Sequence, residues 1–137
     1  MSFETEVPLR FDDLDTYGHV NNVRYGTYLE EARIDYLVEV VGDGSRDFLA
    51  DSDDGIVVKT LEIEFEQPVR SADSVTVSVY VPRLGTTSLP FEYEIRDDGA
   101  VAATGETTVV TYDRAAGEPQ PIPEDWRDAI SEFEFGQ

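Results

Sequence analysis

A chain of 137 residues with 30 acidic side chains against 10 basic ones carries a formal charge of −20; it repels DNA, RNA and anionic membranes, and since its acids form no separate block, it reads as a whole surface adapted to high salt. One domain spanning residues 1–137, 40% apolar, can bury a substantial core, while no run nears the roughly 20 apolar residues of a membrane span and the start lacks the basic and hydrophobic regions of a signal peptide, so a cytoplasmic protein is expected. The absence of cysteine excludes disulfides and thiolate metal sites, and a single histidine, His19, argues against a zinc site, so no metal is expected.

Val7 to Phe11 alternate and predict a first strand, with Pro8 near its beginning, where a missing N–H does least harm. Three acids follow, then Gly18, His19 and the pair Asn21-Asn22, either of which is a good helix cap. From there Tyr25, Tyr28, Leu29, Ala32, Tyr36, Leu37 and Val40 recur at spacings of three and four, which predicts a long central helix stopped by Gly42-Asp43-Gly44. Glu30 is spaced to pair with Arg33 on it. After an acidic loop (Asp51 to Gly55) the period changes to two. Leu61, Ile63 and Phe65 alternate with glutamates until Pro68; Val75 to Val81 and Phe91 to Arg96 alternate likewise. Asp98-Gly99 predicts a hairpin turn into a last strand, Val101 to Tyr112, in which Gly105 marks a bulge or a close backbone approach. A short helix is expected over about 123–133. The order predicts an α+β fold: a curved antiparallel five-stranded sheet wrapped around one long helix, each burying the other's apolar face.

The most informative stretch is residues 10–25. It sets the carboxylate of Asp15 and the imidazole of His19 beside the free N–H groups of a helix N-terminus, a place suited to an anion or a polarised carbonyl oxygen. Alternation from Phe11 puts Asp13 on the same side as Asp15 and Asp12 opposite. Asp13 then reads as a residue bonding loop backbone and Asp12 as solvated.

Arg10-Phe11-x-Asp13-x-Asp15-x-x-Gly18-His19-Val20-Asn21-Asn22-x-x-Tyr25, followed by Glu30-Glu31-Ala32-Arg33, resembles the hotdog-fold acyl-CoA thioesterases of the 4-hydroxybenzoyl-CoA thioesterase type. It also resembles the catalytic segment of acyl-carrier-protein thioesterases, although Tyr17 stands where that branch has an asparagine. The resemblance implies hydrolysis of an acyl-CoA thioester without a cofactor. Asp15 is the implied nucleophile or general base, and the N–H at about Asn22 the oxyanion donor. His19 is implied to orient the carboxylate, position water or protonate the leaving thiolate. Gly18 and Tyr25 are candidates to border the acyl group, although Tyr25 at helical spacing also fits the core. Lys59, Arg70 and Arg83 are candidates to meet the CoA phosphates, and Ser88, with Thr86 and Thr87, to line a pantetheine channel. A homodimer or homotetramer is implied. Two other readings stay open: an enoyl-thioester hydratase, whose asparagine and proline are not matched by Thr16-Tyr17-Gly18, and a non-catalytic acyl-thioester-binding module.

Overall fold

The computed structural model describes residues 3–10, 13, 20–45, 47–70 and 73–136, and of Phe48 and Asp51 the backbone alone. Strand β1 (Phe3–Pro8) leads to helix α1 (Arg24–Val40) and a single turn, α2 (Asp47–Asp51). Strands β2 (Asp54–Phe65), β3 (Ser74–Tyr80), β4 (Ser88–Asp97) and β5 (Ala100–Asp113) follow. A two-residue strand, β6 (Glu118–Pro119), and helix α3 (Glu124–Phe135) close the chain. All pairings are antiparallel, in the order β1-β3-β4-β5-β2, with β6 a short addition to β5. The expected α+β architecture of sheet around helix is present, with β6 as a sixth strand. Among the described residues no helix is long and apolar enough to cross a membrane.

The first strand lies earlier than its apolar run suggests. It starts at Phe3, and Pro8 ends it rather than beginning it. The reason is the pleat: Phe3, Thr5 and Val7 share a face with buried Val79, Val77 and Val75, while Glu4 and Glu6 face outward. There the Glu6 carboxylate accepts hydrogen bonds from Ser74 and Thr76, and Glu4 pairs with Arg96 at 3.1 Å. These outward acids make the segment look like a polar tail.

Helix α1 buries Tyr25, Tyr28, Leu29, Ala32, Tyr36 and Leu37 against Val77, Phe91, Ile95 and Val109. It begins at Arg24, after a turn in which the Val23 N–H donates to Asn21 Oδ1 at 3.0 Å. It ends where Asp43 and Gly44 take positive φ, 52° and 82°. Arg33 is buried and reaches Tyr93 Oη at 3.5 Å, so no ion pair with Glu30 forms. Asp98 and Gly99 both have positive φ, 55° and 85°, which is the geometry a two-residue hairpin requires.

Strand β2 departs from the expected pattern in two ways. It crosses the molecule to pair with β5 and forms an edge of the sheet. Its apolar face is also largely uncovered: Leu61 is 53% exposed and Phe65 47%. Alternation sets the polarity of a face but not whether anything lies over it.

At the middle of β5 a Cβ on Gly105 would stand 2.7 Å from Leu29 Cδ1 and 3.4 Å from the Glu62 carbonyl oxygen. The glycine therefore serves a close approach of helix to sheet. Gly105→Val is expected to destabilise the fold by about 1–3 kcal/mol through overpacking. Gly105→Ala should cost less, and a Leu29→Ala change should recover part of the Gly105→Val loss. Denaturant unfolding of the four proteins at one fixed high salt concentration reads all of these.

Candidate active site

The site is built where the end of β2 meets the turn before α1. Beyond Phe65, the N–H groups of Glu66 and Gln67 both donate to the Ala102 carbonyl, at 2.8 and 3.1 Å, and Pro68 prevents further pairing. The next residue, Val69, ties two elements together. Its N–H donates to Tyr25 Oη at 3.2 Å and its carbonyl accepts the Val20 N–H at 3.3 Å. Between these ties lies a cleft of about 370 Å³ lined by Val20, Asn22, Tyr25, Phe65, Glu66, Gln67 and Pro68. The Tyr25 and Phe65 rings meet edge to face, with centroids 4.9 Å apart, and form its apolar wall. Burial raises the Tyr25 hydroxyl above its ordinary value and outweighs the bond from Val69, so the phenol stays neutral.

Asn22 lies at the mouth of this cleft, and its carbonyl accepts the Tyr25 N–H at 3.3 Å. The Arg24 and Val23 N–H groups are taken by Asn21, through its carbonyl and its side chain. The Asn22 N–H donates to no described residue. Placed at the start of the helix, it is a donor of the kind that binds a carbonyl oxygen developing negative charge.

Asp13 lies beneath this corner, 3% exposed. Its Oδ2 accepts the Arg10 N–H and the Tyr28 hydroxyl, both at 2.8 Å, and its Oδ1 lies 3.5 Å from Arg24 Nε. Its own N–H donates to the Arg10 carbonyl, and its carbonyl accepts the Asn21 N–H at 2.8 Å. Tyr28 is held above its ordinary value, first by burial and then by its bond to this carboxylate.

Asp12, Asp15, Tyr17, Gly18 and His19 lie outside the described residues. Of the other expected site residues, Asn22 and Tyr25 come together in the cleft. Lys59, Arg83 and Ser88 do not. Ser88 lies opposite Val110 and Phe65 opposite Ala103, so the run of β5 from 103 to 110 separates them by about 23 Å. Lys59 falls at the register shift of β2, beside Thr60 and its partner Thr108, about 18 Å from the cleft along the sheet. Arg83 is exposed in the loop leaving β3. Arg70 is nearer, since its backbone follows Val69 and its N–H donates to Asp97 Oδ2 at 2.8 Å. Phe65, Gln67 and Pro68 were not singled out as site residues from the sequence. The break of the alternation at Pro68 marks them, because a strand that stops beside a helix N-terminus leaves a cleft there.

A larger open basin of about 480 Å³ lies on the outer face of the sheet, with Glu62, Glu64, Glu92, Glu94 and Glu106 around Arg96. Its field is negative: a hydrogen bond to Glu92 is the main reason that the Tyr80 hydroxyl there is pushed up to about 12. Phosphate-bearing ligands are repelled from it.

The chain matches a family model, the thioesterase-like superfamily, over residues 9–130. It is 30% identical over 112 residues to the long-chain acyl-CoA thioesterase FadM of Escherichia coli (strain K12), covering 80% of this chain and 83% of that protein. A structure of a thioesterase complexed with coenzyme A and Zn from Thermus thermophilus superposes with a TM-score of 0.82 at 35% identity, covering 98% of this chain and 94% of that one. A thioesterase-superfamily structure from Jannaschia sp. CCS1, at 24% identity and a TM-score of 0.88, shares the fold over 95% of this chain and 91% of its own. With the family model matched from residue 9 to residue 130 and the fold shared along nearly the whole chain, the protein belongs to the thioesterase-like superfamily.

Proposed function

We propose that this protein hydrolyses acyl-CoA thioesters at the cleft before α1, with Asp15 as nucleophile or general base. The observation that carries the reading is the Asn22 N–H, which donates to no described residue, beside an aromatic-walled cleft. A thioester carbonyl is already activated, because sulfur donates poorly into it and thiolate leaves well. A positioned carboxylate and one oxyanion donor therefore suffice. The oxygen of water, or of Asp15 itself, adds to the carbonyl carbon, and the negative oxygen rests on the Asn22 N–H. The C–S bond breaks, and the CoA thiolate takes a proton from water or His19. An acyl-enzyme formed by direct attack is then released by water, giving the same products, a free acid and CoA. Gly18 keeps the approach to the carbonyl open.

Asp15→Asn and Asp15→Ala should lower kcat by about 10²- to 10⁴-fold, and His19→Ala by less. The assay is thiol release from a panel that includes 4-hydroxybenzoyl-CoA, medium-chain and long-chain acyl-CoAs, in molar KCl. Near-normal rates in both Asp15 variants on the best substrate would reject the role of Asp15. Tight binding of the panel with no hydrolysis by the wild type would identify a binding module instead.

The proposed unit is a homodimer. Strand β2 presents a long unpaired edge with Val57, Val58, Leu61 and Phe65 exposed, and such an edge seeks a partner strand. A two-fold antiparallel pairing of two β2 edges brings the Lys59 end of one protomer to the Phe65 end of its partner. That arrangement supplies cations for the CoA phosphates, with Lys59, Arg83 and Ser88 acting at the neighbouring protomer's cleft. The double change Val58→Asp with Leu61→Asp should convert dimer to monomer in analytical ultracentrifugation and abolish turnover while the circular dichroism spectrum persists. A wild type that is monomeric and fully active would overturn the arrangement.

The charge of −20 is proposed to be a high-salt adaptation. Raising KCl from about 0.1 M to 1 M shortens the screening length from about 10 to 3 Å. The thermal unfolding midpoint should rise steadily over that range, and a midpoint insensitive to salt would refute the adaptation.

A further inference from the structure

We propose that Arg33, with the hydroxyls of Tyr93 and Thr107, forms a binding site for a small monovalent anion, a halide or a short carboxylate, beneath the sheet. The site is separate from the cleft and does not depend on the thioesterase reading. An arginine keeps its charge in a folded protein, and a buried charge without a counter-ion is costly. Arg33 is 6% exposed, yet among the described residues no carboxylate pairs with it. Its one hydrogen bond to a described residue is long, from Nη1 to Tyr93 Oη at 3.5 Å, and its buried Nε–H finds no acceptor.

Tyr93 does not serve as the missing anion. Burial raises its hydroxyl above the ordinary value and outweighs the lowering by Thr107 and by Arg33 itself, so the phenol stays neutral. Its oxygen lies 2.6 Å from Thr107 Oγ1, and whichever of the two donates, one hydroxyl proton is left for a further acceptor. The group thus combines a positive charge with an N–H and an O–H that remain to be used. Strand register places it in the fold. Tyr93 lies opposite Gly105, and Thr107 opposite Phe91 on one side and Leu61 on the other. Arg33 is one turn of α1 beyond Leu29, which packs on Gly105. Leu61 is 53% exposed, so the site lies close to solvent on the β2 side. Asn22 is 11 residues before Arg33, about 16 Å at the rise of a helix, so this is not the oxyanion position of the cleft. A guanidinium buried to this degree suits a compact ion: a halide takes the N–H and O–H donors singly, and a carboxylate takes Nε and Nη2 side by side.

The test holds ionic strength at about 1 M with potassium salts and exchanges the anion, so that surface screening stays constant. Morpholinoethanesulfonate, a bulky anion, is replaced stepwise by chloride, bromide or acetate. The thermal unfolding midpoint of the wild type should rise by about 5–10 °C with an anion that fits, as for a ligand that binds the folded state alone at about 100 times its Kd. Arg33→Gln should abolish that rise and Thr107→Val should reduce it. General effects of the anion series act on all the proteins alike, so the difference from the wild type is the readout. Where Arg33→Gln fails to fold, Thr107→Val, which keeps the shape of its side chain, carries the comparison. A rise with the halides alone identifies a halide site, and a rise with acetate alone a carboxylate site. Where bromide acts, its anomalous scattering in wild-type crystals should place the ion within hydrogen-bond reach of Arg33 Nε; a bromide-dependent rise with no peak there overturns the assignment. A rise of equal size in wild type and variants, or none in any of them, overturns the proposal. So does a midpoint that follows protein concentration but not the anion, which would assign the counter-charge to a second copy of the chain.

Discussion

Leu29 lying against the bare backbone of Gly105 sets how deeply α1 sits in the curved sheet. That depth determines the geometry at the start of the helix, one turn earlier. With α1 this close to β5, Tyr25 reaches past the end of β2 to take the Val69 N–H, and its ring closes on Phe65. Were the helix raised by one methyl layer, both contacts would open. The cleft beside Asn22 would then lose its wall. Helix termini leave N–H groups unsatisfied in every protein. What sets this terminus apart is the aromatic wall of Tyr25 and Phe65 beside it, against which a bound acyl group would displace water and so strengthen a hydrogen bond to a charged oxygen.

The far end of the core works against the same displacement. Helix α3 buries Trp126 and Ile130, and its Glu134 carboxylate accepts both the Tyr36 hydroxyl, at 2.6 Å, and the Val81 N–H, at 2.8 Å. Tyr36 is three turns along α1 from Tyr25, so the helix is fixed to the sheet at its start, middle and end. A 17-residue helix held at three points cannot tilt to reopen the cleft without breaking buried hydrogen bonds. Rigid placement is what electrostatic preorganisation would demand of the oxyanion donor proposed at Asn22.

Much of the fold was legible because its strands are half-buried. Valines at every second position from 75 to 81 and the alternation around Phe91 state both the strand and its inward face, and Asp98-Gly99 states the turn between β4 and β5. The pairing of β2 with β5 was not legible, because it joins segments about 45 residues apart through an edge choice that no local pattern encodes. The exposure of Leu61 and Phe65 was hidden for a related reason: their alternation is that of a covered strand. Within the site, Asn22 and Tyr25 could be named from motif and spacing, whereas the reach of Asp13 could not. One acid among 30 acquires its importance only when Arg10, Asn21, Arg24 and Tyr28 converge on it in space.

Charge imposes the last condition on any ligand. A polyanion such as CoA would approach a chain with three times as many acids as bases, and an open basin on the outer face of the sheet is walled by glutamates. Long-range attraction cannot guide it there. In the salt-rich setting proposed for this surface, the same screening that quiets the self-repulsion of the protein also hides its net charge from the ligand. In the proposed reading, recognition would then fall to contacts made within a few ångströms: apolar burial against Tyr25 and Phe65, and the backbone donor of Asn22. Arginine, which supplies nine of the ten basic residues, suits that regime, because its planar fork gains from directed hydrogen bonds that salt weakens less than distant Coulomb attraction. An acyl-CoA held in the proposed way would be anchored by its acyl end and more weakly by its nucleotide end, the reverse of the order expected for a basic CoA-binding protein in dilute salt.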